Sequence, residues 1–293
     1  MSSSISGVLT RVERRRPSAR ALQSMMFLIA IVVAMCAVLP ALWVILSSLE
    51  PTSEFYASVP PLVPTHFIWS TIGQAWNSFD FPVLYLNSFY YLAGALCTSL
   101  LFNGLLGYVL SRLRPRGSRL VLVVVLWSLL VPNVVSVVAT YQNIVHFPIL
   151  GANLENSFYA LWIMAGGNAF YVLIFKSFFD RIDDSYLEAA RIDGASDLQM
   201  FRRIILPMSK PVFVTVAILT STYVWADFFW PYLILNDSHD STTMVGIFAG
   251  STQGVSENLV LGALLLGMLP PLVLFIALQR YIIQGFQLGG IKG

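Results

Sequence analysis

The sequence predicts an all-α, polytopic membrane protein of six transmembrane helices, with a charged helix pair set between two of them. Composition is the first reason. Of 293 residues, 57% are hydrophobic and 11% charged, and the mean hydropathy is +0.73. A soluble domain carries roughly 25% charged residues, so this chain lacks the polar surface to face water. Run length is the second. Apolar stretches near the ~20 residues that cross a bilayer occur at 25–49, 87–111, 120–140, 157–175, 211–235 and 258–279. Charge placement is the third. All 17 Lys and Arg fall in the N-terminal tail, the second-to-third connection, the fourth-to-fifth connection with its edges, or the C-terminal end. The other three connections hold none, yet carry Glu50, Glu54, Asp80, Glu155, Asp237, Asp240 and Glu257. The positive-inside rule then puts both termini in the cytoplasm.

Each element follows in order. Residues 1–24 form a basic cytoplasmic tail, 25–281 the six-span domain and 282–293 a cytoplasmic C-terminal tail. The first run follows "RVERRR", as a signal peptide would. It is about 25 residues long and has no small-residue cleavage site, so it reads as a retained span. Residues 50–86 are too polar to cross and read as an irregular outer lid. In the fourth run, "IMAGGNAFYVLIF" places Gly166 and Gly167 for close packing, with Asn168 able to face an interior. The fifth is interrupted by Asp227, the one ionisable residue in the central part of a span. Pro231 lies four residues on and removes the backbone bond onto the Asp227 carbonyl, so "WADFFWP" reads as a kinked polar patch. Asp227, with Trp225 and Asn168, is a candidate for lining a translocation pathway or for holding a neighbouring helix in register. Residues 236–257 read as a flexible, small-residue-rich outer loop. Cys36 and Cys97 lie in apolar runs, and the three His have no Cys or close His partners, so no metal site is indicated.

The insert "DRIDDSYLEAARIDGASDLQMFRRIILPMSKP" is soluble in character and sits between the fourth and fifth runs. Ser185 and Glu188 have capping-box spacing, Gly194 suits a left-handed C-terminal cap, and Ser196 with Gln199 repeats the box. Pro207 and Pro211 then end the second helix before the fifth span. A plain connecting loop is over-specified by two boxes and a capping glycine. A DNA-reading helix-turn-helix conflicts with acidic Asp193 and Asp197 and with tethering on both sides, so no nucleic-acid partner is expected. A docking knob fits best, with Ala189, Ala190 and Ala195 as a small-residue face and Glu188 as a charge for the partner.

"EAARIDGASDLQMFRRIILPMSKP" resembles the EAA loop of bacterial ABC importer membrane subunits, with its E-A-A, D-G-A and I-x-L-P elements all present. "LPALWVILSSLEP", "YLNSFYYLAGALCTSLLFNGLLGYVLSRLRPRG", "WADFFWPYLIL" and "QGFQLGGIKG" are similar to the carbohydrate-importing, maltose-type branch, and to its smaller six-span permease. The resemblance implies a bacterial inner-membrane permease working as a heterodimer with a second permease. Two ATPase subunits and an extracytoplasmic solute-binding protein complete the implied assembly. It implies that helices at about 185–204 couple to an ATPase cleft through Glu188, Ala189, Ala190, Asp193, Gly194 and Pro207. It also implies that the tail with Gly290 and Lys292 lies against the ATPase pair, and that the 236–257 loop reaches the binding protein. Gly290 and Ile291 stand where that family commonly has alanine and valine.

The residues independently point to a borrowed motor. A phosphate-binding P-loop needs G-x-x-x-x-G-K-[ST]. The three lysines, Lys176, Lys210 and Lys292, follow Phe175, Ser209 and Ile291, so the chain has no such loop. It is expected to be no enzyme and to bind no cofactor, with ATP and Mg on the partner ATPase. The alternative is an ion-coupled secondary transporter using Asp227. Such folds show internal repeats, and no second "DFFWP"-like segment occurs. The seven outer acids mildly disfavour capture of an anionic sugar phosphate.

Overall fold

A computed structural model describes residues 17–57, 61, 63–148 and 151–289. The helices are α1 Pro17–Ser48, α2 Thr52–Phe55, α3 Ser70–Ser78, α4 Phe81–Leu113, α5 Ser118–Leu130, α6 Asn133–Val145 and α7 Phe158–Gly166. They continue with α8 Ala169–Asp180, α9 Ser185–Ile192, α10 Asp197–Met208, α11 Lys210–Ala226, α12 Phe229–Ile234, α13 Thr243–Thr252 and α14 Glu257–Gly289. Among the described residues no strand forms beyond an isolated Phe147–Ala152 bridge. In lipid only helices or closed barrels satisfy their own backbone groups, so apolar runs of this length become helices.

Four segments are long and apolar enough to span: Ala21–Ser48, Phe81–Leu113, Phe158–Asp180 and Glu257–Gln279. Two bent pairs bring the number to six if each counts as one span. The run at 120–140 is therefore not one straight helix. Pro132 has no N–H and holds Val131 extended, and α5 meets α6 at 114°. The run at 211–235 stops at Ala226 and resumes at Phe229, while α10 and α11 meet at 71° across Ser209. The 50–86 segment, expected to be an irregular lid, is also more ordered than that reading. It contains α3, and α4 starts at Phe81, inside the 50–86 segment.

The chain divides into two compact units. Residues 1–74 with 256–265 form one. There the Ile68 amide donates to the Leu49 carbonyl at 2.8 Å, and the Tyr56 hydroxyl donates to Glu257. Hydrogen bonds from the Thr65 side chain and amide hold the Glu54 carboxyl below its usual range. Burial raises that of Glu50, with Glu54 adding to the effect. The apolar surface of α1 is exposed along nearly its whole length, as a lipid-facing helix requires.

Residues 75–255 with 266–293 form the other unit. Small residues set its packing. A Cβ on Gly107 would meet Phe175 Cβ at 2.6 Å and the Lys176 backbone N at 3.0 Å, so α4 and α8 touch main chain to main chain. Residues 243–252 correct the flexible-loop reading. They form α13, whose Gly246 and Gly250 lie against Leu84 and Phe79 and whose Val245 and Ile247 are buried. At the same end, Asn156 Oδ1 accepts from the Asn236 and Asp237 amides, and Glu155 accepts from Tyr141 and Asn236. Those bonds, Tyr141 first, hold the Glu155 carboxyl below the usual range.

Candidate functional site

The helix pair α9–α10 is built by local hydrogen bonds and seated on an apolar base. Gly194 has φ +79°. Its amide donates to Arg191 O at 3.0 Å, and the Ala195 amide donates to Ala190 O at 2.9 Å. These two bonds are the Schellman cap expected of a glycine there. The Ser196–Gln199 capping box also forms, with both reciprocal bonds present. The Ser185–Glu188 box does not. Asp184 occupies the N-cap, and the preceding Asp183 carboxylate accepts the Ser185 amide at 2.9 Å. That amide and the Ser185 side chain hold the Asp183 carboxyl below its usual range. A nearer competitor took the donor.

Pro207 does not end α10, which runs on to Met208 through a widened turn at Phe201–Ile205. Widening the turn before a proline gives its ring room against the preceding carbonyls. The break falls instead at Ser209, whose hydroxyl donates to Ile205 O at 2.6 Å.

Burial redraws the docking face. Ala190 is buried and Ala195 half-buried, packed with Leu187, Met200, Ile205, Phe175, Phe179 and Tyr108. They root the pair rather than offer it. Glu188, Ala189, Asp193 and Gly194 are exposed, and so are two apolar residues that the motif reading passed over: Ile192 at 87% and Leu198 at 63%. Gly290 and Lys292, and the basic tail's residues 1–16, lie outside the described residues.

The pathway candidates do not converge on one point. Asp227 caps the break in the fifth run. Tyr91 donates to its Oδ2 at 3.0 Å, and the Trp230 amide approaches Oδ1 at 3.5 Å. Asn168 caps α8 by accepting the Tyr171 amide at 3.1 Å. The Asn168 amide in turn donates to Oδ1 of Asn103, a fully buried residue that also serves the Ala165 carbonyl left open by the break. Asn103 was legible as an amide in the middle of its apolar run, sixteen residues in from Asn87 at the start.

Trp225 belongs to a third arrangement. Prolines 270 and 271 cannot donate to the carbonyls four residues back, Leu266 and Gly267. Tyr85 Oη donates to Leu266 O at 2.7 Å and Trp225 Nε1 donates to Gly267 O at 3.0 Å. Two aromatic residues from other helices thus satisfy both bare carbonyls. They border a groove of about 560 Å³ with Trp76, Phe89, Leu269 and Leu274, and its lining is mostly apolar.

Residues 103–288, well over half the chain, match the family described as "Binding-protein-dependent transport system inner membrane component". The chain belongs to this family. This permease is 29% identical over 248 residues to the sn-glycerol-3-phosphate transport system permease protein UgpE of Yersinia pestis, covering 82% of this chain and 86% of that one. It is 27% identical over 273 residues to the melibiose/raffinose/stachyose import permease protein MelC of Bacillus subtilis, covering 91% and 95%. A solved bacterial ABC transporter involved in alginate import contains a chain of the same fold, with TM-score 0.79, 23% identity, and 91% and 98% coverage. The all-α, multi-pass inner-membrane permease expected from the sequence is what the family and the fold show.

Proposed function

We propose that this permease is one half of the translocation pathway of an ATP-driven importer for a sugar or related carbohydrate. The exposed, doubly capped α9–α10 pair carries the reading. It presents Glu188, Ala189, Asp193 and Gly194 with Ile192 and Leu198 on the basic connection between the fourth and fifth apolar runs, where an ATPase subunit would dock. Both termini lie in the cytoplasm, and the partners are a second permease, two ATPase subunits and a solute-binding protein. ATP and Mg act on the ATPases, and closure of those subunits displaces α9–α10. The carbohydrate class is supported by the names of the relatives. One of those names an anion, so the seven outer acids do not separate neutral from anionic cargo.

The family match favours this reading over an ion-coupled carrier. Asp227 then has a structural use, holding a broken helix through Tyr91. Uptake of the small molecule held by the co-purifying binding protein tests this in vesicles with each energy source supplied separately. Asp227→Asn retains size and hydrogen-bonding capacity but binds no exchangeable proton on a carboxylate. Substantial uptake by that variant, abolished by ATP depletion and surviving collapse of ion gradients, is the expected result. Accumulation driven by a gradient at zero ATP would sink the proposal. Orientation has its own check, in a background lacking Cys36 and Cys97. Cysteines at Arg116 and Asp197 should label from the cytoplasm and one at Asp240 from outside.

A further inference from the structure

Where the second apolar run ends, one guanidinium gathers three separate parts of the chain. Arg112 closes α4, and its side chain is only 7% exposed although it is an arginine at the end of a helix. Its Nη2 donates to the Phe179 and Ile182 carbonyls where α8 ends, the first of which also accepts the Ile182 amide at 3.1 Å, and its Nη1 pairs with Asp184. Asp184 is the N-cap of α9, and its own carbonyl accepts the Leu187 and Glu188 amides at 2.9 Å. A second polar node lies beside it. Asp180 accepts from Ser111 at 2.7 Å and Lys176 at 2.7 Å, with Arg114 at 3.6 Å. The planar guanidinium aims its donors at two carbonyls and a carboxylate in fixed directions; a lysine ammonium has three donors but lacks that fixed geometry.

We propose that Arg112 is a positioning residue for energy coupling. It joins the ends of α4 and α8 to the first turn of α9, so that displacement of the helix pair reaches both spans together. The inference rests on the importer reading above. The carbonyl bonds carry most of the joint: Asp184 is 78% exposed, and an ion pair open to water contributes little. Motion between α9 and the end of α4 is therefore suppressed, while motion of α9 relative to the far end of the permease is not.

The test uses the assembled importer in vesicles, with Cys36 and Cys97 replaced and spin labels placed in pairs at Arg116–Ser185 and Ser185–Asp240. Distances are read without nucleotide and with ATP under non-hydrolysing conditions. The Ser185–Asp240 distance should change, and the Arg116–Ser185 distance should hold within about 2 Å, the scale of small helix shifts. Arg112→Gln should broaden the Arg116–Ser185 distribution about twofold or more and make it nucleotide-dependent. Asp184→Asn should leave it near the unmodified width. A nucleotide-dependent Arg116–Ser185 distance in the unmodified joint overturns the proposal, as does an unchanged distribution in Arg112→Gln. If Arg112→Gln does not assemble, the unmodified pair decides alone. Absence of any change at Ser185–Asp240, or of an ATPase in the complex, would instead count against the importer reading.

Discussion

The α9–α10 pair and the two prolines inside α14 solve the same problem by opposite means. Both interrupt a helical hydrogen-bond ladder and leave backbone groups without their usual partners. At the pair, the replacement bonds come from within a few residues: Ala195 to Ala190, Gly194 to Arg191, Ser196 with Gln199. At the prolines, they come from residues remote in sequence, Tyr85 to Leu266 and Trp225 to Gly267. Solvent accounts for the difference. Water covers any lapse in an exposed cap, so the pair can be encoded locally and can shift as a unit. A hydrocarbon interior offers no substitute donor, so a break there must borrow from a neighbouring helix.

The largest effect that would sharpen this contrast is at the borrowed donors. Phenylalanine at Tyr85 or Trp225 keeps an aromatic ring and deletes the donor to one bare carbonyl. Each change should lower stability by about 1–2 kcal/mol, and the two together by about the sum. Unfolding of the purified permease in detergent titrations measures it, and a neutral double variant would show that the carbonyls find other partners. Gly194→Val comes next. Nothing lies within 4 Å of a Cβ added there, so the cost is pure backbone strain at φ +79°, about 1–2 kcal/mol. Membrane insertion should stay normal while ATPase co-purification is lost, and Gly194→Asn, which tolerates that φ, should recover it. Smallest are the caps. Ser196→Ala should cost about 1 kcal/mol, read as faster hydrogen exchange at the Gln199 amide. Ser185→Ala should cost about 0.5 kcal/mol or less, because Ser185 caps nothing. Equal effects at the two serines would erase the distinction between a formed box and a matching pattern.

The same contrast explains what the sequence disclosed. Gly194 and Ser196–Gln199 were readable because cause and effect lie within one turn. Ser185–Glu188 had the right spacing and failed, since Asp183 stands closer to the donor. Helix α13 was hidden by its Thr, Ser and Gly content, though Gly246 and Gly250 at a four-residue spacing carried the signal of close helix contact. The six apolar runs and the break at Asp227 were legible from hydropathy and proline. The donors that seal those breaks were not, because Tyr85, Tyr91 and Asn103 announce nothing until the chain has folded. On the pair, the alanine pattern was visible but its direction was not; burial turned Ala190 inward and left Ile192 and Leu198 outside.

Gly107 has a mechanical consequence. With no side chain between α4 and Phe175, Lys176 and Val172 of α8, the two helices meet without a compressible layer. Arg112 lies five residues farther along α4, ~7 Å away at the rise of a helix. Held at Gly107 and again at Arg112, α4 and α8 have no hinge between them at this end, so a push at Arg112 turns the two spans as a single rigid lever.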